Sequence, residues 1–356
     1  MAATSSNRSI GVGILGGTGY GAGELLRLLT HHPSTHVCCV TSQSSAGKEI
    51  CGPHPHLSGF YSDLRFTPAL EIESLAPFEK RIVFAALPHE ASGPLLRDLS
   101  PTLKEKGIQV IDLSGAYRLH STDEHKEFYP EVQRSESLVA QYTYGITECS
   151  REQVASAVHI SNPGCLATAS ILGVAPFAKL LKPKFIAFDT KTGSSGSGKE
   201  LKEATHHPTR HGNVTAYKAL QHQHEPEVLQ TLHTMGLQKC DTSFIAQSLP
   251  IARGIYVTTH IHNETPIALA DLQHTLEDFA KSSPFLRVRK NPPHLQGVIG
   301  TNFCDIAVAV RGTCIIVMTA IDNLIKGMAG QAIQNMNIMA GLPEETGIYY
   351  PGMRPY

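Results

Sequence analysis

The apolar positions of the N-terminal part of the chain fall into short runs separated by polar or Gly/Pro-rich segments. Four of these runs have the length and composition of buried strands: Ile10–Leu15, His36–Thr41, Arg81–Leu87 and Ile108–Leu113. Between the first two, Glu24–Thr30 clusters its leucines as a packed helix does and stops near Pro33. Strands alternating with helices predict a doubly wound parallel α/β sheet, a Rossmann-type domain, over residues 1–161.

The rhythm changes after Lys184, where the apolar runs become longer and are separated by fewer helices. These runs are FIAFDTK, TSFIAQS, GIYVTTHIH, CDIAVAV and TCIIVMTAI. They predict an α+β domain with a mainly antiparallel sheet over residues 162–321. The last segment, 322–340, opens on Asp322 at a helix N-cap and closes before Gly341 and Pro343, which predicts a terminal helix.

Composition excludes several classes of protein. A length of 356 residues favours two domains, and a formal charge of -1 argues against binding to nucleic acid or to an anionic membrane surface. Residues 305–321 are too interrupted by Arg311 and Gly312 for a bilayer-spanning helix. The glycine-rich turn is reached by Gly16, too early for the apolar region of a secretory signal, and no Arg-rich transit composition precedes it, so we expect a cytoplasmic protein. Eight scattered cysteines without a C-x-x-C pair predict reduced thiols.

A glycine-rich turn follows the first predicted strand. Gly17, Gly19 and Ala22 satisfy G-x-G-x-x-G/A at a strand-to-helix junction, where backbone N–H groups bind a pyrophosphate. The alternative is a strained turn without a ligand. The candidate dinucleotide-binding residues in this run are Gly16, Gly17, Thr18, Gly19, Tyr20, Gly21 and Ala22.

The end of the second predicted strand bears on the choice of cofactor. NAD-binding sites usually have Asp or Glu here to hold the ribose 2′-hydroxyl, whereas this chain has Ser42, Ser44, Ser45 and Lys48. Hydroxyls and a lysine tolerate a 2′-phosphate that a carboxylate repels. The sequence therefore favours NADP over NAD, unless these residues form an ordinary polar loop.

Cys165 lies at the start of an apolar helical stretch. With Asn162 as N-cap and Pro163 as the first helical residue, Cys165 occupies the third helical position, where the helix dipole stabilises a thiolate. The alternative is a small buried apolar residue, as we expect for Cys38, Cys39, Cys304 and Cys314.

His222 and His224 precede a probable helix start at Glu225, so we expect both imidazoles on a loop, able to exchange protons. The other histidines that would be needed for a metal site are scattered, and no metalloenzyme motif is present. We therefore expect no metal.

Lys191–Lys199, KTGSSGSGK, has the composition of a flexible linker, but in a folded domain it could cup an anion or a nicotinamide. Arg118, Arg210 and Arg253 could bind a carboxylate or phosphate, or be solvated surface charges. A nicotinamide cofactor, an activated thiol and a histidine together predict reduction of an acyl derivative to an aldehyde through a thioester.

Several motifs resemble the N-acetyl-gamma-glutamyl-phosphate reductase family, which is related to aspartate-semialdehyde dehydrogenase. The resemblance spans nearly the whole chain and is most specific at SNPGC and at the C-terminal segment. The matching segments are GGTGYGAGELLRLL from Gly16, SSAGK from Ser44, HPHL from His54, SNPGC from Ser161, TGSSGSGKE from Thr192, HQHEPE from His222, PIARGI from Pro250, GTNFCD from Gly300 and DNLIKGMAGQAIQNMN from Asp322.

The resemblance implies NADPH-dependent reduction of N-acetylglutamyl 5-phosphate to the 5-semialdehyde, with release of phosphate, in arginine biosynthesis. It makes Cys165 the nucleophile and His224 the acid/base, with His222 as a substrate contact or the alternative acid/base. It implies that residues 322–356 return to complete the first domain and that the protein is a homodimer or homotetramer assembled through the second sheet. Further cofactor candidates are Pro88, Gly193, Ser194, Gly196 and Asn323, and the substrate candidates are Arg118, Asn162, Ser195, His211, Tyr217 and Arg253.

Four positions depart from the family pattern: Leu166, Ala22, Gln43 and Gln223. Gln43 replaces a frequent arginine and so removes a charge that would favour a 2′-phosphate. The open alternatives are the same chemistry on aspartyl phosphate or on a carrier-bound aminoadipyl phosphate, a dinucleotide-sensing module with a structural thiol, and a histidine-metal hydrolase.

Overall fold

The computed structural model describes residues 9–353, so the outermost residues of the predicted domains, 1–8 and 354–356, lie outside it. The chain divides into two compact units. The first contains the residues up to Asn162 together with Ala329–Ile348, and the second contains Pro163–Met328 and the residues from Tyr349.

The first unit is a parallel sheet with helices. Among its described residues the strands are β1 (Ile10–Leu15), β2 (Thr35–Thr41), β3 (Phe66–Thr67), β4 (Lys80–Ala85), β5 (Gln109–Asp112), β6 (Tyr142–Tyr144) and β7 (His159–Ser161). The helices are α1 (Tyr20–Leu29), α2 (Ile72–Leu75), α3 (His89–Glu105), α4 (Thr122–Phe128), α5 (Glu136–Val139) and α6 (Thr147–Ala155), and a 3-10 helix spans Pro55–Leu57.

The strand order of this sheet is β3-β2-β1-β4-β5-β7-β6, and all its pairings are parallel. The doubly wound prediction is therefore confirmed, although the short strands β3, β6 and β7 were not predicted. The order reverses between β1 and β4, where an open α/β sheet forms its ligand crevice beyond the strand ends. Every residue of β1 is buried, as expected for a central strand covered on both faces.

The second unit is built on a mixed sheet. Its strands, among the described residues, are β8 (Pro183–Thr192), β9 (Thr215–Tyr217), β10 (Asp241–Ser248), β11 (Ile255–Asn263), β12 (Leu286–Val288), β13 (Cys304–Arg311) and β14 (Cys314–Ile321). Its helices are α7 (Cys165–Val174), α8 (His207–Arg210), α9 (His224–Thr234) and α10 (Leu269–Lys281), with 3-10 helices at Ala175–Phe177, Ser194–Ser197, Glu203–Thr205 and Leu295–Gly297.

The strand order of the second sheet is β12-β13-β14-β11-β8-β10-β9. The pairs β13-β14, β14-β11, β11-β8 and β10-β9 are antiparallel, which confirms the prediction of a mainly antiparallel sheet; β12-β13 and β8-β10 are parallel. Helix α7 is apolar on all sides because it packs between this sheet and α9, and Leu166–Val174 are all buried.

The terminal helix differs from the prediction in its first turns. The segment Ile325–Ala329 is a π-helix, in which the Gly327 N–H donates to the carbonyl of Asp322, five residues earlier. A regular helix, α11 (Gly330–Met339), follows and ends at Gly341, whose φ of +73° is the left-handed conformation that the sequence predicts there.

The units divide at different residues from the predicted 161 and 322. Residues 322–328 belong to the second unit, where Asp322 is bonded to Arg253, and the residues from Tyr349 also belong there because the Tyr349 ring packs against Phe303 at 5.4 Å. Only Ala329–Ile348 joins the first unit, in which Gln331 donates to the Gly145 carbonyl at 3.1 Å. No helix within residues 9–353 is both long and apolar enough to cross a bilayer.

Candidate active site

The glycine turn lies directly after β1, at the end of the sheet where the strand order reverses. Gly16 has φ +79°, and the Gly17 N–H donates to the Thr41 carbonyl at 2.7 Å. A Cβ on Gly17 would overlap Val40 and Phe66, whereas a Cβ on Gly19 would meet nothing within 4 Å. Gly19 is the N-cap of α1 and has no side chain that could occupy the first-turn N–H groups. The turn therefore leaves open space at the helix start, which fits a pyrophosphate.

The loop after β2 fits a 2′-phosphate. Ser42 is buried and donates its N–H to the Thr67 carbonyl at 2.9 Å, and its hydroxyl lies 3.4 Å from that of Ser44. Ser45 is half-buried and Lys48 is exposed, so the Ser45 hydroxyl and the Lys48 ammonium group are accessible to a ligand. Residues 42–48 include no Asp or Glu that would repel a phosphate. Pro88 is exposed at the N-cap of α3, after β4. Of the predicted cofactor residues, this unit holds those from Gly16 to Pro88.

Arg118 and Asn162 have structural partners in the first unit. Arg118 is only 4% exposed and donates from Nε to the Asn162 carbonyl and from Nη2 to the Leu113 carbonyl, both at 2.8 Å. The Asn162 side-chain oxygen accepts from Asn335 at 3.2 Å. The prediction that Asn162 caps the cysteine helix is therefore wrong, because its side chain is bonded to α11. A role for either residue in binding substrate stays a prediction.

Cys165 is the first residue of α7, with Gly164 as its N-cap. The predicted third helical position is wrong by two residues because the backbone at Gly164 is still extended. The expected electrostatic effect remains, since the first helical residue lies at the positive end of the helix dipole. The Gly164 N–H donates to Oε2 of Glu227 at 2.9 Å, and this carboxylate is fully buried.

His224 lies against the residue preceding the thiol. A Cβ on Gly164 would overlap Nε2 and Cδ2 of the His224 ring, so only glycine fits there. His224 is the first residue of α9 and is 8% exposed, and His222 is 3% exposed. The prediction that both imidazoles lie on a loop rather than in a core is therefore wrong for His224, which begins α9, and wrong about burial for both rings, although His222 does lie on the loop before the helix.

His222 lies behind His224. Its ring centroid is 4.7 Å from that of His224, 5.2 Å from that of Phe244 and 5.6 Å from that of Tyr217. Burial, and to a lesser extent the nearby His224 and Lys218, lowers the pKa of His222 to about 2. His222 is therefore neutral at physiological pH, and its Nδ1 accepts the backbone N–H of His224 at 3.1 Å. This arrangement suits a residue that orients its neighbour.

Tyr217 borders the same cluster. Tyr217 is 37% exposed, and the partial burial of its phenol, followed by the charge of a Cys165 thiolate, raises the pKa of Tyr217, so its hydroxyl keeps its proton. The loop that joins Tyr217 to His222 holds Lys218 and Leu220 at φ values of 48° and 59°, a left-handed conformation that is costly for side chains other than glycine. Backbone strain of this kind is common near functional sites.

Gly327, in the π-helix, packs on another side of Cys165. A Cβ on Gly327 would lie 2.7 Å from the Cβ of Cys165 and 3.2 Å from its Cα. The cysteine is thus flanked by two positions that admit no side chain, Gly164 and Gly327. Sequence reasoning did not single out Gly327, and Glu227 was also missed, although its spacing from His224 places both on one helix face.

The segment Gly193–Gly198 is not a flexible linker. Gly193 donates to the Gly254 carbonyl at 2.9 Å, and Ser194 and Ser195 donate to the carbonyls of Ile251 and Ala252. Asn323, predicted to lie near the nicotinamide, donates to Oγ of Ser195 at 2.9 Å and accepts the Gly254 N–H at 2.8 Å. Gly196 follows Ser195 in the same short 3-10 helix.

Arg253 and the remaining candidates have different surroundings. Arg253 forms a bidentate pair with the buried Asp322, Nε to Oδ2 at 3.0 Å and Nη2 to Oδ1 at 3.2 Å. His211 is exposed, with its ring 5.3 Å from that of His207, and Arg210 donates to the hydroxyl of Ser248. Within residues 9–353 no group of three or more His, Cys, Asp or Glu side chains is arranged to hold a metal ion.

Comparison with known protein families divides the chain in the same order as its two units. Residues 11–157 match the family described as semialdehyde dehydrogenase, NAD binding domain, and residues 165–323 match semialdehyde dehydrogenase, dimerisation domain. The second match begins at Cys165 and ends at Asn323.

Curated relatives match over nearly the full length. An N-acetyl-gamma-glutamyl-phosphate reductase from Methanococcus maripaludis strain C5 is 41% identical and covers 97% of this chain and 99% of its own length. A protein of the same name from Bacillus subtilis strain 168 is 38% identical and covers 95% of this chain and 97% of its own length.

Solved structures share the fold at low sequence identity. Aspartate semialdehyde dehydrogenase II of Vibrio cholerae, complexed with ASA, has a TM-score of 0.68 at 15% identity and covers 93% of this chain and 98% of its own. Aspartate semialdehyde dehydrogenase of Candida albicans, solved with NADP, has a TM-score of 0.69 at 14% identity with the same coverages. These likenesses establish the two-domain architecture.

Proposed function

This chain belongs to the N-acetyl-gamma-glutamyl-phosphate reductase family, and from that membership we propose that it reduces N-acetyl-L-glutamyl 5-phosphate to the 5-semialdehyde, a step of arginine biosynthesis. NADPH is the proposed reductant. The observation that carries the proposal is the environment of Cys165, which begins a helix directly after Gly164. Glu227 accepts a hydrogen bond from the N–H of Gly164, and the ring of His224 packs on the same glycine.

Cys165 acts as the nucleophile. Its thiolate, favoured by the dipole of α7, attacks the acyl carbon of the mixed anhydride, and the bond from that carbon to the phosphate oxygen breaks. The products of this step are inorganic phosphate and a thioester on the sulfur. Reduction of the acyl carbon and cleavage of the carbon–sulfur bond then give the aldehyde and regenerate the thiolate.

His224 is the proposed acid/base. Its ring lies against Gly164, the residue before the nucleophile, so it is placed to donate a proton to the oxygen that becomes anionic during reduction. His222 remains neutral and orients His224 through the hydrogen bond to its backbone. The hydroxyl of Tyr217, whose raised pKa keeps it protonated at physiological pH, is a candidate hydrogen-bond donor to the bound substrate.

The first unit has residues suited to the cofactor. The N–H groups of Thr18, Gly19 and the first turn of α1 would hold the pyrophosphate, since the Gly17 N–H is bonded to the Thr41 carbonyl, and Ser42, Ser44 and Lys48 would hold the 2′-phosphate. When bound, NADPH supplies the hydride. In the second unit, Asn323 fixes the loop of Ser195 by hydrogen bonds, which supports the assignment of Gly193, Ser194, Gly196 and Asn323 to the nicotinamide end.

The activity is tested most simply in reverse, as phosphate-dependent reduction of NADP+ by N-acetylglutamate semialdehyde. We expect turnover with this aldehyde and little with aspartate semialdehyde or a carrier-bound aminoadipate semialdehyde. A preference for either of the latter would move the protein to a different substrate while keeping the thioester chemistry. Faster turnover with NAD+ than with NADP+ would overturn the cofactor assignment.

The second unit matches a dimerisation domain, which indicates that the protein forms an oligomer. The partner surface that we propose is the sheet face opposite α7, because its alternate side chains are only partly buried in the single chain. These side chains include Phe185, Ala187, Thr258, His260, Ile316 and Met318. We expect a homodimer by light scattering and monomers from the variant Ile316→Asp; a tetramer would require a further interface.

The cytoplasm is the proposed location. None of the eight cysteines forms a disulfide, which is the state expected in a reducing compartment. Fractionation of cells that produce the native chain would test this assignment.

A further inference from the structure

The motif HPHL places two histidines close together, and the proposed reaction assigns a task to neither. His54 is 4% exposed, immediately before the 3-10 helix Pro55–Leu57, whereas His56 is exposed in that helix. Burying an imidazole is costly unless its polar atoms find partners. The partners of the buried ring therefore indicate what His54 does.

The first contact is with the glycine turn. Nε2 of His54 lies 2.7 Å from the carbonyl oxygen of Gly17, in the buried interior of the first unit. A carbonyl oxygen only accepts hydrogen bonds, so Nε2 carries a proton and donates it. The bond joins residues that are 37 positions apart in the sequence.

The second contact is with the helix that leaves the turn. A Cβ on Gly23 would lie 2.8 Å from Nδ1 and 2.9 Å from Cε1 of His54, so the ring packs directly on the backbone of the first turn of α1. The imidazole of His54 thus contacts both Gly17, in the turn, and α1, the helix that follows the turn. The ring of His54 occupies the space that a side chain at position 23 would need.

The hydrogen bond from His54 to the Gly17 carbonyl also fixes the orientation of the Thr18 N–H, which belongs to the same peptide group. In a trans peptide the C=O and N–H groups point in opposite directions, so holding the Gly17 carbonyl sets the direction of the Thr18 N–H. The Gly17 N–H is held separately by the Thr41 carbonyl. Both peptide groups of Gly17 are therefore fixed, one by β2 and the other by His54.

We propose that His54 is a positioning residue for dinucleotide binding: it locks the peptide between Gly17 and Thr18 so that the turn presents its N–H groups to the phosphates before the cofactor arrives. This inference rests on the proposed use of NADPH and deepens it. An anion site assembled from backbone N–H groups depends on their orientation, and a turn free to rotate loses affinity through the cost of ordering it.

The test compares His54→Leu, His54→Gln and the matched control His56→Leu in the full-length protein, by NADPH titration and by steady-state kinetics. We expect His54→Leu to weaken NADPH binding and raise the KM for NADPH by about tenfold or more, with a smaller change in kcat at saturating NADPH. His54→Gln, whose amide nitrogen can reach the same carbonyl, should recover binding to within about threefold of wild type. His56→Leu should bind as wild type does.

Wild-type affinity in His54→Leu, or equal losses in the Leu and Gln variants, would overturn the inference. If His54→Leu does not fold, Gly23→Ala takes its place: the added Cβ displaces the ring, and the higher helix propensity of alanine offsets part of the overpacking, so a folded protein with a modestly lower melting temperature and weaker NADPH binding is the expected result. Unchanged binding in Gly23→Ala would count against His54. Failure of the wild-type protein to bind NADPH would instead overturn the proposed cofactor, and the role of His54 with it.

Discussion

Oε2 of Glu227 accepts the backbone N–H of Gly164 at 2.9 Å, and this bond fixes the residue on which Cys165 depends for its position. The carboxylate lies in α9, whereas the N–H belongs to the N-cap of α7, so the bond ties together the two helices that supply the nucleophile and the proposed acid/base. We expect loss of the Glu227–Gly164 hydrogen bond to lower the rate of catalysis more than it lowers the stability of the fold.

We expect Glu227→Ala to lower kcat by about 10- to 100-fold, because a charged hydrogen bond to a buried N–H contributes about 1.5–3 kcal/mol. Glu227→Gln should lose less, since the amide oxygen still accepts. The measurements are kcat and the rate of Cys165 alkylation by iodoacetamide. Glu225→Gln, in the same turn of α9, is the control, because its carboxylate bonds to Thr242 instead. Equal effects at both positions would show that the Gly164 bond has no special importance.

The two histidines should differ in their effect on the pH dependence of turnover. Since burial keeps the pKa of His222 at about 2, its protonation cannot produce a limb between pH 5 and 9. His222→Asn should therefore keep the shape of the wild-type profile. His224→Asn should lower kcat by about 10²- to 10⁴-fold and remove any limb in this range. The reverse result would exchange the proposed roles.

Gly327→Ala should impair the nucleophile. The added Cβ would lie 2.7 Å from the Cβ of Cys165, so one of the two backbones must move. Overpacking of this kind costs about 1–3 kcal/mol, and we expect slower alkylation of Cys165 together with a lower kcat. Gly173→Ala, in α7 itself but facing Thr319, is the control and should keep its activity. Full activity in Gly327→Ala would show that the site relaxes easily.

Asp322 should matter mainly for stability. Besides Arg253, it accepts N–H groups of Gly300, Leu324 and Ile325 at 2.8–3.1 Å. We expect Asp322→Ala to lower the free energy of unfolding by about 3 kcal/mol, because one arginine and several buried N–H groups lose their acceptor. Arg253→Gln should also lower the melting temperature. If it raised the KM for the acyl substrate without changing the melting temperature, Arg253 would bind substrate instead.

The first unit should lose stability in mild acid. Burial lowers the pKa of His159 to about 4, and its Nδ1 accepts the Val110 N–H at 3.1 Å, which only the neutral ring can do. Between pH 6.5 and 4 the unfolded chain therefore binds a proton that the folded chain does not, so stability falls as pH falls. The contribution reaches about 3 kcal/mol at pH 4. His159→Asn, which keeps an acceptor without the titration, should flatten the dependence of the melting temperature on pH in this window.

Local sequence patterns predicted the parts of the fold that depend on local physics. The apolar runs gave the central strands β1, β2, β4 and β5, and the glycine turn was predicted because few other sequences can join a strand to a helix so tightly. The predicted start of α7 was wrong because Asn162, a good N-cap, is bonded to Asn335, a partner 173 residues away. No local pattern indicates which of two suitable partners a polar side chain takes.

The environment of the histidines was unpredictable for a related reason. His222 lies between Tyr217 of β9 and Phe244 of β10, with His224 packed against it, and only the folded sheet brings these rings together. The π-helix at Ile325–Ala329 has the same apolar pattern as an α-helix, so the sequence could place a helix there without giving its winding. Glu227 had a detectable signal, since it follows His224 by three residues in a helix.

The surroundings of Cys165 have a consequence for how this protein can evolve. The ring of His224 fills the space that a side chain at position 164 would need, and the Cβ of Cys165 fills the space that a side chain at position 327 would need. Among the active clones of a random mutational library, we therefore expect almost no substitutions at positions 164 and 327. A related protein with a larger residue at position 164 or 327 should also have a smaller residue at the position that this side chain would contact, or should catalyse a different reaction.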